Sequence, residues 1–223
     1  MQVSKVKRDL RFSMGICLLV TVVSFFAVAL SACASEIILD RVESALETFR
    51  VVRVTGGLEH PWSMAFLPDG RILVTERPGR LRIIDRGKLI DKALAGIPPV
   101  AAKGQGGLLD LTLHPDFGEN GWVYFSYAGQ AEGGIGTEVA RGRLKEDRLE
   151  DVQVIFRLLP KTGETKHFGS RLVFDGQKRL YISLGDRGER DRAQDLGDHA
   201  GSMIRLTDEG RIPEDNPFVG RSG

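Results

Sequence analysis

Residues 165–188 read T-K-H-F-G-S-R-L-V-F-D-G-Q-K-R-L-Y-I-S-L-G-D-R-G, and their patterning decides the fold class. An apolar run at 171–174 is followed by a tight turn on Asp175-Gly176 and a second run at 180–184. Two short strands on a turn of this kind form an antiparallel hairpin. A hairpin returns the chain to the level at which it started, so its far ends lie together. Those ends carry His167, just before the small-residue turn Phe168-Gly169-Ser170, and Asp186, inside Gly-Asp-Arg-Gly. A carboxylate beside an imidazole fixes the tautomer and makes the ring a better base. Histidine and aspartate are also ordinary turn residues, so the pair becomes a catalytic candidate only in company with the rest of the chain.

The same unit occurs twice more. Phe66-Leu67-Pro68-Asp69-Gly70 precedes Arg71-Ile72-Leu73-Val74-Thr75, and Leu113-His114-Pro115-Asp116-Phe117 precedes, after a few turn residues, Trp122-Val123-Tyr124-Phe125-Ser126. The turn aspartates are 47 and then 59 residues apart. A several-stranded repeat on a period of roughly 40–60 residues points to the blades of a β-propeller. Apolar runs between Gly, Pro and Asp turns predict strands at 51–54, 62–66, 72–75, 81–84, 108–113, 123–127, 139–143, 152–156, 172–174, 180–184 and 203–206. No long stretch of helical periodicity follows residue 47, so the class is all-β. Propellers close with about four to eight blades. At the observed spacing this chain holds about three, and its last residues, 211–223, are Pro- and Gly-containing loop. The expectation is therefore the N-terminal half of a propeller over 49–223, preceded by a polar, mildly helical tether at 34–48.

Residues 1–33 have the form of an export signal. Lys5, Lys7, Arg8 and Arg11 precede an uncharged apolar run at 14–30, and small residues follow. Leu30-Ser31-Ala32-Cys33 fits a bacterial lipobox, in which Cys33 would be lipidated, and Ala32-Cys33-Ala34 fits an ordinary A-x-A cleavage site. Either predicts a periplasmic protein, the first with an anchor in the outer membrane. The two cysteines, Cys17 and Cys33, both fall here, which removes thiolate catalysis and cysteine-held zinc from the remainder. Without the segment's four basic residues and Asp9, 27 Lys and Arg face 29 Asp and Glu, a balance of −2. Nucleic-acid binding calls for a clear basic excess, and this is none.

Four ordered motifs carry a resemblance. Leu58-Glu59-His60-Pro61-Trp62-Ser63-Met64-Ala65 with the Phe66–Gly70 turn resembles the opening blade of the soluble glucose/sorbosone dehydrogenases, and Gly104-Gln105-Gly106-Gly107-Leu108-Leu109 resembles their second signature. Residues 167–188 resemble the third, and Ile212-Pro213-Glu214-Asp215-Asn216-Pro217-Phe218 the fourth. The closest branch is similar to the bacterial periplasmic aldose sugar dehydrogenases. The resemblance implies a six-bladed propeller that oxidises an aldose to its lactone with pyrroloquinoline quinone and calcium, passing electrons to an external acceptor. It makes His167 the general base, Asp186 its partner and Gln105 a side chain of the quinone pocket. The residue before the histidine is acidic in the glucose enzymes and is Lys166 here, a departure in substrate geometry that offers a lysine to the quinone carboxylates instead. The family's calcium ligands and most of its quinone-carboxylate contacts belong to later blades.

Other candidates read as structure. His60 and His114 precede prolines, which favours extended or turn backbone, and His199 reads as a surface loop residue. The acidic and basic segment 186–198 reads as solvated loop, and no His, Asp and Glu group has metal-ligand spacing. Gly104-Gln105-Gly106-Gly107 precedes a strand, not a helix, so it is no phosphate cradle.

Overall fold

The computed structural model describes residues 36–221; the expected export signal and the expected lipidation site at Cys33 lie outside them. Its strands are β1 (Glu36–Glu43), β2 (Thr48–Arg53), β3 (Pro61–Phe66), β4 (Ile72–Glu76), β5 (Arg80–Asp85), β6 (Lys88–Leu89), β7 (Leu108–Leu113), β8 (Trp122–Ala131), β9 (Gly134–Lys145), β10 (Arg148–Arg157), β11 (Gly169–Phe174), β12 (Arg179–Leu184) and β13 (Met203–Thr207). They form a β1–β2 hairpin and three antiparallel sheets of consecutive strands: β3 to β6, β7 to β10 and β11 to β13. These sheets are the three expected blades, and the repeated unit is the first hairpin of each.

The turn aspartates explain the repeat locally. Asp69 Oδ1 accepts the Arg71 N–H at 3.0 Å, and Asp175 Oδ1 accepts those of Gln177 at 2.9 Å and Arg179 at 2.8 Å. A short acceptor bonding the backbone two residues on closes a tight turn. The middle copy is longer because one helical turn, α1 (Phe117–Asn120), is inserted and ends on Gly121 at φ 68°.

The middle sheet shows why its strands lack alternation. On β8, Val123, Phe125 and Tyr127 pack with Leu73, Leu81 and Ile83 of the first sheet, whereas Trp122 and Tyr124 pack with Leu172, Leu180 and Ile182 of the third. Successive side chains point to opposite faces, so a strand between two sheets must be apolar on both. The outward faces of the flanking sheets stay open, with Met64, Phe66, Val173 and Met203 more than half exposed.

One expectation fails. Residues 34–48 read as mildly helical, but β1 runs antiparallel to β2, with Ile37 opposite Val52 and Val42 opposite Phe49. The β-branched and aromatic residues that pair there suit a pleated surface, and cross-strand pairing outweighs the weak helical propensity of the intervening polar residues. β6 also went unread, being two residues long.

The inner strand β7 packs between β3 and β11, and the buried Asp110 ties all three. Its carboxylate accepts the Ser63 hydroxyl at 2.6 Å, Arg171 at 2.9 Å and the Leu172 N–H at 2.7 Å. Its own N–H donates to Ser126 Oγ at 2.9 Å. Replacing Asp110 with Ala strands a buried N–H and frees a guanidinium, and should lower the unfolding free energy by about 2–3 kcal/mol. Asp110→Asn, which keeps one acceptor, should lose less; urea unfolding of both measures the difference.

Candidate active site

The third sheet assembles the site by its register. Gly169 pairs with Leu184, so the segment entering β11 meets the turn leaving β12. His167 Nδ1 consequently lies 2.7 Å from Asp186 Oδ1, which also accepts the Gly188 N–H at 2.8 Å. The Gly188 N–H first, and His167 second, hold the Asp186 carboxyl below its ordinary value of 3.8. An ionised carboxylate only accepts hydrogen bonds. In the neutral ring the proton therefore sits on His167 Nδ1, which leaves the Nε2 lone pair free. The ring is half exposed and lines a cleft of roughly 390 Å³ together with Trp62, Arg77, Gln105, Leu109 and Phe168.

The loop under the ring is held from several sides. Gln105 Oε1 accepts the His167 N–H at 2.8 Å, and the Gln105 N–H donates to the Thr165 carbonyl at 2.8 Å. From the middle sheet, Thr137 Oγ1 donates to the Phe168 carbonyl and Ser126 Oγ to the Ser170 carbonyl, each at 2.8 Å. A Cβ on Gly185 would lie 2.0 Å from the His167 carbonyl oxygen, so only glycine lets the end of β12 lie against this backbone. His167, Ser170 and Arg187 adopt φ of 52°, 82° and 59°. Left-handed backbone costs a non-glycine residue on the order of 1–3 kcal/mol, and such strain clusters at working sites.

Three sequence candidates thus converge: His167, Asp186 and Gln105. Lys166 does not join them. Its amine lies 3.7 Å from Glu164 and over Gly188, away from the residues lining the cleft. His114 is buried, its Nδ1 accepting the Asp116 N–H at 3.0 Å, a packing role as expected. His199 is not simply on the surface. It packs on Phe156 and accepts the Leu159 N–H at 3.0 Å, and burial lowers its pKa. Among the described residues, no three His, Cys, Asp or Glu gather where a metal ion could sit.

Trp62, Leu109, Phe168 and Arg77 escaped the sequence reading of the cleft. Arg77 Nη2 donates to the Gly104 carbonyl at 2.5 Å, steadying the loop that presents Gln105. A signal for Arg77 existed in the repeat. It follows the second strand of its sheet, β4, as Gly185-Asp186 follows β12, so aligned repeats put both at one end of their blades.

The Glucose / Sorbosone dehydrogenase family model matches residues 58–223. "Aldose sugar dehydrogenase YliI" of Escherichia coli (strain K12) is 44% identical over 204 residues, covering 90% of this chain and 54% of that protein. The apo-form crystal structure of the soluble aldose sugar dehydrogenase from Escherichia coli superposes with TM-score 0.72 at 46% identity, over 74% of this chain and 49% of that one. The PQQ-bound aldose sugar dehydrogenase from Streptomyces coelicolor does so with TM-score 0.67 at 30% identity, over 75% and 50%. The chain spans about half the length of the relatives it matches.

Two measurements check the site. Gly185→Ala should push the His167 backbone away, weaken its pairing with Asp186 and lower stability by about 1–3 kcal/mol, read by ring NMR and urea unfolding. The Asp186 carboxyl, followed by carbon NMR, should titrate below 3.8. Because its folded pKa is depressed, the stability it adds is present above about pH 4 and is lost as pH falls through the lowered midpoint. His167→Ala should raise that midpoint only in part, since the Gly188 N–H remains.

Proposed function

Because this chain belongs to the glucose/sorbosone dehydrogenase family, we propose that the protein it represents oxidises an aldose at its anomeric carbon to the lactone, with His167 as general base. The observation that carries the reading is the 2.7 Å contact between His167 Nδ1 and the ionised Asp186 in the wall of a cleft. With Nδ1 protonated, Nε2 takes the proton of the anomeric hydroxyl as the anomeric carbon gives up its hydride. Asp186 stabilises the imidazolium that results and keeps the ring from rotating. An imidazole titrates near pH 6.5 when unperturbed, so such a base works at neutral pH.

The cleft fits the implied cofactor, pyrroloquinoline quinone. Trp62, Leu109 and Phe168 offer apolar walls to a flat ring system, and Arg77 and Gln105 supply a permanent positive charge and an amide for carboxylates and carbonyls. When bound, the quinone supplies a two-electron acceptor for the hydride, chemistry that no side chain provides. Gln105 has a second task in holding the His167 N–H, so the cofactor pocket and the base share one residue. Among the described residues no three His, Cys, Asp or Glu gather to hold a metal ion, so the calcium that the resemblance implies would take its ligands from later blades. The export signal supports a periplasmic location, with an external acceptor reoxidising the quinone and Cys33 as the lipid attachment point if the lipobox is used.

The test is steady-state kinetics on the full-length gene product loaded with quinone. His167→Ala should reduce kcat by about 10²–10⁴-fold and leave quinone affinity within a few-fold. Asp186→Asn, whose amide can donate to Nδ1 and so reverse the tautomer, should lose kcat by a similar factor. An unchanged kcat in His167→Ala would remove the base assignment.

A further inference from the structure

Among the described residues, Arg187 is the largest side chain wholly shielded from solvent. Burying a guanidinium is unfavourable unless an anion or a full set of acceptors compensates. Yet among the described residues Arg187 forms no salt bridge, whereas the neighbouring Arg192 is paired with Asp198 at 2.7 Å. What it touches is backbone. Nη1 donates to the carbonyl of Lys166 and Nη2 to the carbonyl of Glu164. The guanidinium Cζ lies 3.7 Å from the centre of the Phe168 ring, and Nε has no partner. These three contacts fall one residue before, three before and one after His167.

A neutral side chain of similar length would fill this space without the desolvation of a charge. The guanidinium adds a rigid planar fork whose donors reach two carbonyls at once while its Cζ sits over an aromatic ring. The bonds bend the chain around it, and His167 emerges at φ 52°. On the opposite side Gln105 takes the His167 N–H, and Gly185 lies against its carbonyl. We propose that Arg187 is a positioning residue for His167, its guanidinium clamping the Glu164 and Lys166 carbonyls so that the imidazole meets Asp186. Asp186 and Arg187 are consecutive, so a single turn orients the ring through one residue and sets its backbone through the next. The value of this for catalysis rests on the general-base reading above; the clamp itself does not.

Ring nitrogen NMR of the 223-residue chain, at about pH 8 and so above the ordinary imidazole titration, separates the two. In the unmodified chain His167 should show one dominant tautomer, protonated at Nδ1. Arg187→Met, which keeps the bulk and loses both donors, should raise the Nε2-protonated population at least about threefold, toward the mixture of a free imidazole. Arg187→Lys, able to reach one carbonyl, should lie between. Leu180→Ala, a core truncation that leaves these contacts alone, should lower the unfolding midpoint without moving the tautomer, so loss of stability alone cannot mimic the effect. If Arg187→Met does not fold, the lysine variant decides by the same signal. A folded variant with the tautomer unchanged, or a mixed tautomer in the unmodified chain, overturns the proposal. A fixed tautomer together with a quinone-loaded protein whose turnover ignores His167→Ala would instead leave the clamp standing and remove the catalytic reading.

Discussion

One buried carboxylate sits where three sheets meet. Asp110 on β7 accepts from Ser63 on β3 and from Arg171 and Leu172 on β11, so the inner strands cannot shift separately without leaving a donor unsatisfied in the interior. Apolar packing alone would tolerate some sliding of sheet on sheet, because hydrophobic contact has no direction. Hydrogen bonds to a charged acceptor do have direction and are roughly twice as strong as neutral ones. The cleft is lined by residues from all three sheets or the loops between them, so its shape depends on that fixed meeting point.

The site uses the same economy of means. The polar groups that face the cleft are held by others that act on backbone. Arg77 bonds the glycine-rich segment that presents Gln105, Arg187 bonds the segment that presents His167, and the two segments bond each other through Gln105. Glycines at 104, 106 and 185 are there because neighbouring atoms come within 3 Å of where a Cβ would be. Close approach of chain to chain brings an imidazole and an amide into one small cleft, with the carboxylate that pairs with the ring just beside it.

Much of this was legible in the residues. Strands with apolar runs between Asp-Gly turns declare themselves because the turn chemistry is local, and the His167–Asp186 contact follows from hairpin geometry. β1 was missed because its partner lies across a short turn and much of its surface is polar. The arginine contacts were missed for a different reason. A guanidinium bonding carbonyls leaves no pattern of paired charges, and carbonyls are present at every position, so nothing in the string of letters marks which ones are taken. The placement of Lys166 away from the cleft is likewise decided by the direction in which a bent loop points each side chain.

The left-handed residues around His167 have a consequence for how this protein can change. Glycine would adopt the backbone of Ser170 or Arg187 without strain, yet each of these side chains bonds its surroundings, and at His167 the imidazole is the proposed base. Conformational energy is thus held in place at the residues around the proposed site. Evolution toward greater heat tolerance, which often proceeds by relieving such positions, finds its easiest gains closed here. It would have to draw them from the blades' periphery, so that thermal adaptation and change at the cleft become largely separate histories written on different parts of one chain.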